Sequence, residues 1–319
     1  MENFQRWFRM LPISMRRHRL IKLIVEIFPS CRYTEVEFNG TGKLVGDLMD
    51  AWVRQHFRDA LFEPEFFEIA SPLIPQDGVF FDLGANFGFC SFGLFGVRRE
   101  DGVHFFLFEP NPLVFECLKR SAALNPQGRF QLIHGFVLDK PGFSSLRFDL
   151  DHTGGGYYDG PAPNGVPNIV LDQFIEEKQI SIVDLLKMDI EGSEPLALMG
   201  AKTSLSRGII KAIYLEMSTE NLQRQGWAPS DCIAILRESG FSLFWCKPQD
   251  FSTFSLPSET SIKIISDRGS FEVSPLDCFP ERYQTDILAL HSDTVLMKKL
   301  SDHLASNRVG NSGIREVRI

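Results

Sequence analysis

VFFDLGANFGF, residues 79–89, is the stretch that decides the fold. Val79, Phe80, Phe81 and Leu83 form a short apolar run interrupted only by Asp82, with the length and composition of a buried strand. The run ends on Gly84, and Asn86 and Gly88 follow at once. A strand that ends in glycine and turns sharply into a helix is expected to aim backbone N–H groups at whatever sits above the sheet. Glycine permits positive φ there and lets a ligand approach the backbone closely. Such a turn is the nucleotide-binding crevice of a doubly wound sheet.

The spacing separates one nucleotide class from another. A dinucleotide fingerprint, G-x-G-x-x-G, would need glycines at 84, 86 and 89, and the chain has Asn86 and Phe89 at the last two. What stands instead is Asp82-x-Gly84-x-Asn86-x-Gly88. Asparagine tolerates left-handed backbone better than other residues with side chains, so it can replace a middle glycine. Glu109 closes the next apolar run, Val103–Phe108, where its carboxylate can accept bonds from two ribose hydroxyls.

Outward from this turn, apolar runs and helical stretches alternate. The runs are 79–83, 103–108, 130–133, 182–188, 209–215 and 241–245, with helices expected at about 88–99, 112–124, 194–206 and 229–239. The alternation predicts a doubly wound, mostly parallel α/β sheet, completed by a last strand at 286–290. Ahead of it, Thr34–Phe38 alternates in polarity and Asn39-Gly40 is a hairpin turn signal; residues 47–70 then read as helical, interrupted near Glu63-Pro64. Residues 151–167, rich in Gly, Pro, Asn and Tyr, read as a long loop over the acceptor. Residues 247–284 read as a polar insertion with a small hairpin around 266–269. The expected domains are an N-terminal cap over 1–70, a main domain over 71–300 and a tail over 301–319.

The chain has 319 residues and a formal charge of −8, which argues against nucleic acid as a partner, because phosphate neutralisation needs a basic surface. Six scattered cysteines without a Cys-x-x-Cys pair suit reduced thiols in a cytoplasm. The 29 phenylalanines fit an aromatic-rich core. No apolar run reaches the about 18 residues that a spanning helix needs. The first 30 residues mix Arg6, Arg9, Arg16, Arg17, Arg19 and Lys22 with apolar side chains. That pattern predicts an amphipathic helix capping the domain or a second subunit in a homodimer, with peripheral membrane contact as the alternative.

Five ordered stretches carry a family likeness: VFFDLGANFGF (79–89), LFEPNP (107–112), LLKMDIEGSEPLALMG (185–200), VPNIVLDQFIEE (166–177) and FEPEFFEIA (62–70). Together they resemble the FkbM family of S-adenosylmethionine-dependent methyltransferases, over about residues 34–246. The resemblance implies a class I methyltransferase sheet, Rossmann-like and seven-stranded, with a final antiparallel strand and an N-terminal helical and hairpin cap. It implies that Gly84, Asn86 and Gly88 wrap the methionine end of S-adenosylmethionine. Asp82 would fix that loop or reach the amino group, Glu109 would hold the ribose, Phe136 would pass the adenine, and Glu63 would fold over the methionine portion.

On the same reading, the end of the fourth strand faces the acceptor. Asp189 and Glu191 there point to hydroxyl chemistry, because an aliphatic hydroxyl needs help to lose its proton at neutral pH. Either carboxylate could take that proton, the preferred reading, or the pair could hold a hard divalent cation such as Mg²⁺. His134 is a second candidate base. The expected activity is O-methylation of a sugar, glycan or secondary-metabolite hydroxyl. The alternatives are a nicotinamide oxidoreductase of the same sheet class and a silent protein that binds S-adenosylmethionine.

Overall fold

The computed structural model describes residues 4–10, 18–248, 262–266, 269–276, 279 and 283–292. The chain divides into two compact units. One comprises Met1–Phe67, Asp82–Phe136 and Gly142–Asn168; the other comprises Glu68–Phe81, Val137–Pro141 and Ile169–Ile319.

The first unit begins with helices α1 (Phe4–Met10) and α2 (His18–Ile27) and a hairpin of β1 (Tyr33–Phe38) and β2 (Gly42–Asp47). Residues 11–17, between these two helical stretches of the expected N-terminal helix, lie outside the described residues. The two helices bury Phe8, Ile21 and Val25, and they leave Trp7, Leu23 and Ile27 half-exposed. Strands β1 and β2 pair antiparallel from Tyr33↔Asp47 to Phe38↔Gly42. Asn39 and Gly40 take the two positive φ angles that a tight hairpin turn requires. Helix α3 (Ala51–Asp59) starts at Asp50, whose Oδ1 accepts the N–H groups of Trp52 and Val53.

Helix α4 (Pro64–Leu73) leads to β3 (Val79–Leu83), and each contributes residues to both units. The first unit continues through α5 (Phe89–Val97), β4 (His104–Glu109), α6 (Pro112–Leu124) and β5 (Arg129–His134). Strands β4 and β5 run parallel, in register from His104↔Arg129 to Glu109↔His134. Phe92, Phe95, Phe105 and Phe130 interlock beside them, so part of the phenylalanine excess is core.

The expectation of a loop at 151–167 is corrected by the structure. Strands β6 (Phe136–Val137), β7 (Gly142–Asp149), β8 (His152–Pro161) and β9 (Val166–Ile169) form a separate four-stranded sheet in the order β6-β9-β7-β8. Strand β7 pairs antiparallel with both β8 and β9. The glycines that suggest a loop instead let β8 run close to its neighbours, as the site below shows.

The second unit carries α7 (Leu171–Glu177), β10 (Leu185–Met188), α8 (Glu194–Gly200), α9 (Lys202–Ser206), β11 (Ala212–Ser218), α10 (Thr219–Arg224) and α11 (Pro229–Glu238). It ends with β12 (Phe241–Pro248), β13 (Ile262–Ser266), β14 (Gly269–Pro275) and β15 (Gln284–His291). The helix expected over 194–206 breaks at Ala201. Gly200 lies against the Leu138 carbonyl, where a Cβ would collide.

Strands β10 and β11 are parallel, and β15 runs antiparallel between β11 and β12. The main sheet has the order β13-β14-β12-β15-β11-β10-β3-β4-β5. Seven of these strands form the doubly wound sheet with its final antiparallel strand. The other two are the hairpin expected in the 247–284 insertion, closed at Ser266↔Gly269. Residues 249–261 of that insertion and the tail expected at 301–319 lie outside the described residues.

Candidate active site

The turn after β3 has left-handed backbone at Gly84 (φ 73°), Asn86 (φ 52°) and Gly88 (φ 88°). Its N–H groups do not project outward as the sequence suggested. Gly84 and Ala85 both donate to the Phe108 carbonyl (3.0 and 2.9 Å), and Gly88 donates to Ala85 O (2.8 Å). Asn86 N–H donates to Glu109 Oε2 (2.9 Å) and Phe87 N–H to Asn86 Oδ1 (2.8 Å). Protein acceptors, three of these five bonds running to β4, satisfy the turn and fix its shape without a ligand.

Gly88 is required by packing. A Cβ there would lie 2.5 Å from the Phe92 ring and 2.9 Å from Leu118 Cδ2. Asp82 is fully buried, and its Oδ2 accepts the Ser91 hydroxyl at 2.6 Å, tying the strand end to the first turn of α5.

Glu109 links two elements. Its Oε2 takes the Asn86 N–H, and its Oε1 takes the Asn111 N–H at 2.8 Å, at the start of α6. His134 ends β5, and its Nε2 lies 3.0 Å from the Pro110 carbonyl. A carbonyl only accepts, so Nε2 carries the proton and Nδ1 is the basic nitrogen.

Phe136 is buried and meets Tyr158 edge-on, with ring centroids 6.0 Å apart. Glu63 enters α4 with φ 22°, and its carbonyl accepts the Phe66 N–H. Of the candidates in the first unit, Asn86 and Glu109 are therefore in direct contact and Gly84 and Gly88 share their turn. His134 pairs in register with Glu109.

In the second unit, Asp189 follows the end of β10. Its Oδ2 lies 3.0 Å from Lys187 Nζ, and about a third of the Asp189 side chain is exposed. Burial works against the Asp189 charge, but the Lys187 ammonium and a hydrogen bond from Glu216 outweigh it. The carboxyl is held below its usual range. Glu216 has the opposite fate: the neighbouring Asp189 charge, then burial, push it up to about 10. The two carboxyls thus share one proton at neutral pH, with the negative charge on Asp189. Gln284 Nε2 donates to Glu216 Oε1 (2.9 Å) on its other side.

The pairing of Glu216 with Asp189 is absent from the sequence reading. The signal was the parallel register: Met188↔Leu215 places the next residues, Asp189 and Glu216, side by side.

Asp189 and Glu191 take different partners. Glu191 has φ 57°, and its Oε2 accepts from Asn221 Nδ2 at 2.7 Å; Arg224 donates to its carbonyl at 2.8 Å. Glu194 closes the intervening turn, where its buried Oε1 accepts the N–H groups of Ile190 and Gly192, each at 3.2 Å. Burial pushes the Glu194 carboxyl up to about 7. Both Asp189 and Glu191 are already matched to a cationic side chain, which does not suit a Mg²⁺ site. Among the described residues, no group of three or more His, Cys, Asp or Glu side chains could hold a metal ion.

The family model for the methyltransferase FkbM domain matches residues 82–243, half of the chain. The chain belongs to the FkbM family of S-adenosylmethionine-dependent methyltransferases. No curated protein matches it. Solved structures similar to it include an FkbM methyltransferase from Methylobacillus flagellatus KT (17% identity, 64% of this chain and 44% of that one, TM-score 0.38). Another is precorrin-6y C5,15-methyltransferase from Geobacter metallireducens GS-15 (14% identity, 72% and 87% of the two chains, TM-score 0.38). A third is TYW2 from P. horikoshii in complex with MeSAdo (12% identity, 89% and 87%, TM-score 0.37). No helix among the described residues is long and apolar enough to cross a membrane.

Proposed function

We propose that the protein transfers the methyl group of S-adenosylmethionine to a hydroxyl of a sugar, glycan or secondary metabolite, with Asp189 as the proton acceptor. The observation that carries this reading is the Lys187–Asp189–Glu216 cluster, which keeps a partly exposed carboxylate ionised beside a neutral carboxyl. When bound, the cofactor supplies an electrophilic sulfonium methyl. As the acceptor's O–C bond formed, the S–C bond would break and S-adenosylhomocysteine would leave, and the hydroxyl proton would pass to Asp189. Glu216, already neutral, hydrogen-bonds to Asp189 before and after the transfer.

The cofactor-facing roles fall on the first unit, whose donors and acceptors suit such a ligand. Gly84, Asn86 and Gly88 shape a turn for the methionine portion, and Asp82 anchors it. Glu109 would hold the ribose hydroxyls, its carboxylate standing at the end of β4 against the turn. Phe136 would border the adenine and Glu63 the methionine portion. Glu191 then positions the turn through Asn221 and Arg224, and His134 orders the Pro110 backbone.

Asp189→Asn tests the reading. Turnover should fall about 10²–10⁴-fold while S-adenosylmethionine affinity stays within about twofold. Undiminished turnover would remove Asp189 from the chemistry.

A further inference from the structure

The turn that receives the cofactor has used all of its N–H groups from Gly84 to Gly88 on protein acceptors. One donor on it is uncommitted: Asn86 Nδ2 has no protein partner among the described residues. The methionine portion of the cofactor ends in a carboxylate, and an amide N–H₂ is a suitable donor for it. The orientation of this one side chain therefore matters more than the backbone of the turn.

Strand β8 fixes that orientation. Gly154 lies directly against Asn86, and a Cβ there would come within 2.7 Å of the Asn86 amide carbon. Gly154 does not have positive φ, so its backbone would accept alanine, and only the space forbids it.

Gly154 is held in turn by a buried carboxylate from the N-terminal part of the chain. Asp50 is fully buried, and its Oδ2 accepts the Thr153 hydroxyl (3.1 Å) and the Gly154 N–H (3.4 Å). Its other oxygen caps α3. The Thr153 carbonyl accepts Asn111 Nδ2 (2.9 Å), and the Asn111 N–H returns to Glu109 (2.8 Å), which holds the Asn86 N–H. The path Asp50–Thr153–Asn111–Glu109–Asn86 closes around the turn, and every member except Asn86 is almost wholly buried.

We infer that Asp50, Thr153 and Gly154 are positioning residues for cofactor binding. They clamp the Asn86 amide so that it meets the carboxylate of the methionine portion. This clamp rests on the proposed placement of the cofactor at Asn86 and Glu109. A purely structural role for β8 would affect all ligands alike, whereas a clamp on Asn86 affects only ligands that carry the carboxylate.

The test compares S-adenosylhomocysteine with 5′-methylthioadenosine, which lacks the amino-acid portion, by calorimetry on the full chain. Gly154→Ala and Thr153→Val should weaken S-adenosylhomocysteine tenfold or more and leave methylthioadenosine within twofold. Thr153→Ser, which keeps the hydroxyl, should restore wild-type affinity. Equal losses for both ligands, or no loss for either in both variants, would overturn the clamp. Asn86→Ala and Glu109→Ala serve as the second arm. If both leave S-adenosylhomocysteine binding unchanged, the cofactor placement itself fails, and the clamp with it. If they weaken it and the β8 variants do not, the clamp alone is wrong.

Discussion

Lys187 Nζ lies 3.0 Å from Asp189 Oδ2, so an almost buried ammonium stands beside the carboxylate that follows the fourth parallel strand. A charge-assisted contact of this kind favours the ionised acid. Replacing Lys187 with Met removes the charge and most of the reason for the low Asp189 pKa. The acid limb of the kcat/KM profile should then move to higher pH. An unmoved limb would mean that another group titrates there.

Glu194 gives a stability prediction. Its carboxyl rises from 4.5 to about 7 in the folded protein, chiefly through burial. The folded state therefore binds the proton more tightly than the unfolded one. The contribution is complete below about 4.5 and is lost as pH rises to about 7. Glu194→Gln keeps the acceptor oxygen for Ile190 and Gly192 but cannot ionise. Its stability relative to wild type should rise by about 1–3 kcal/mol between pH 5 and pH 8. Urea titrations at the two pH values measure this directly, and a constant difference would contradict it.

Glu109→Ala should weaken S-adenosylmethionine binding about ten- to a hundredfold, because each lost charge-assisted bond contributes roughly 1.5–3 kcal/mol. It should also unsettle the turn, since Asn86 and Asn111 both lose their acceptor. Calorimetry reports the first effect. Amide exchange at Asn86 and Asn111 reports the second, and protection unchanged at both would contradict the bridging role.

Gly88→Ala should act on stability more than on ligand contacts. The new methyl would press on Phe92 and Leu118 at a backbone φ of 88°. A loss of about 2–4 kcal/mol is expected from overpacking and strain together. A melting temperature equal to wild type would show that the α5–α6 packing yields easily.

The legible parts of this fold are those where local chemistry and tertiary role agree. Asn39-Gly40 announces the β1–β2 hairpin because the two central residues of its turn need left-handed backbone. The run 79–83 announces β3 because its side chains are buried except for the half-buried Val79. Residues 152–161 mislead because Gly154, Gly155 and Gly156 are poor strand formers in isolation. They are a strand because β7 supplies the ladder and Asn86 leaves no room for a side chain. The same limit applies to the site. Asp189 and Asn86 stand in motifs and can be named from sequence. Glu216, Asp50 and Thr153 act through neighbours 27 to 103 residues away, which only the register and the packing reveal.

The central claim is methyl transfer to oxygen, and one measurement tests it most directly. The purified protein is incubated with S-adenosylmethionine carrying a ¹³C methyl and a pool of glycans and metabolites, and the products are followed by mass spectrometry and ¹³C NMR. The account predicts a labelled methyl with the chemical shift of a methyl ether, formed in equal amount with S-adenosylhomocysteine and lost in Asp189→Asn. A labelled methyl on nitrogen or carbon, or an O-methyl product formed equally well by Asp189→Asn, would contradict it.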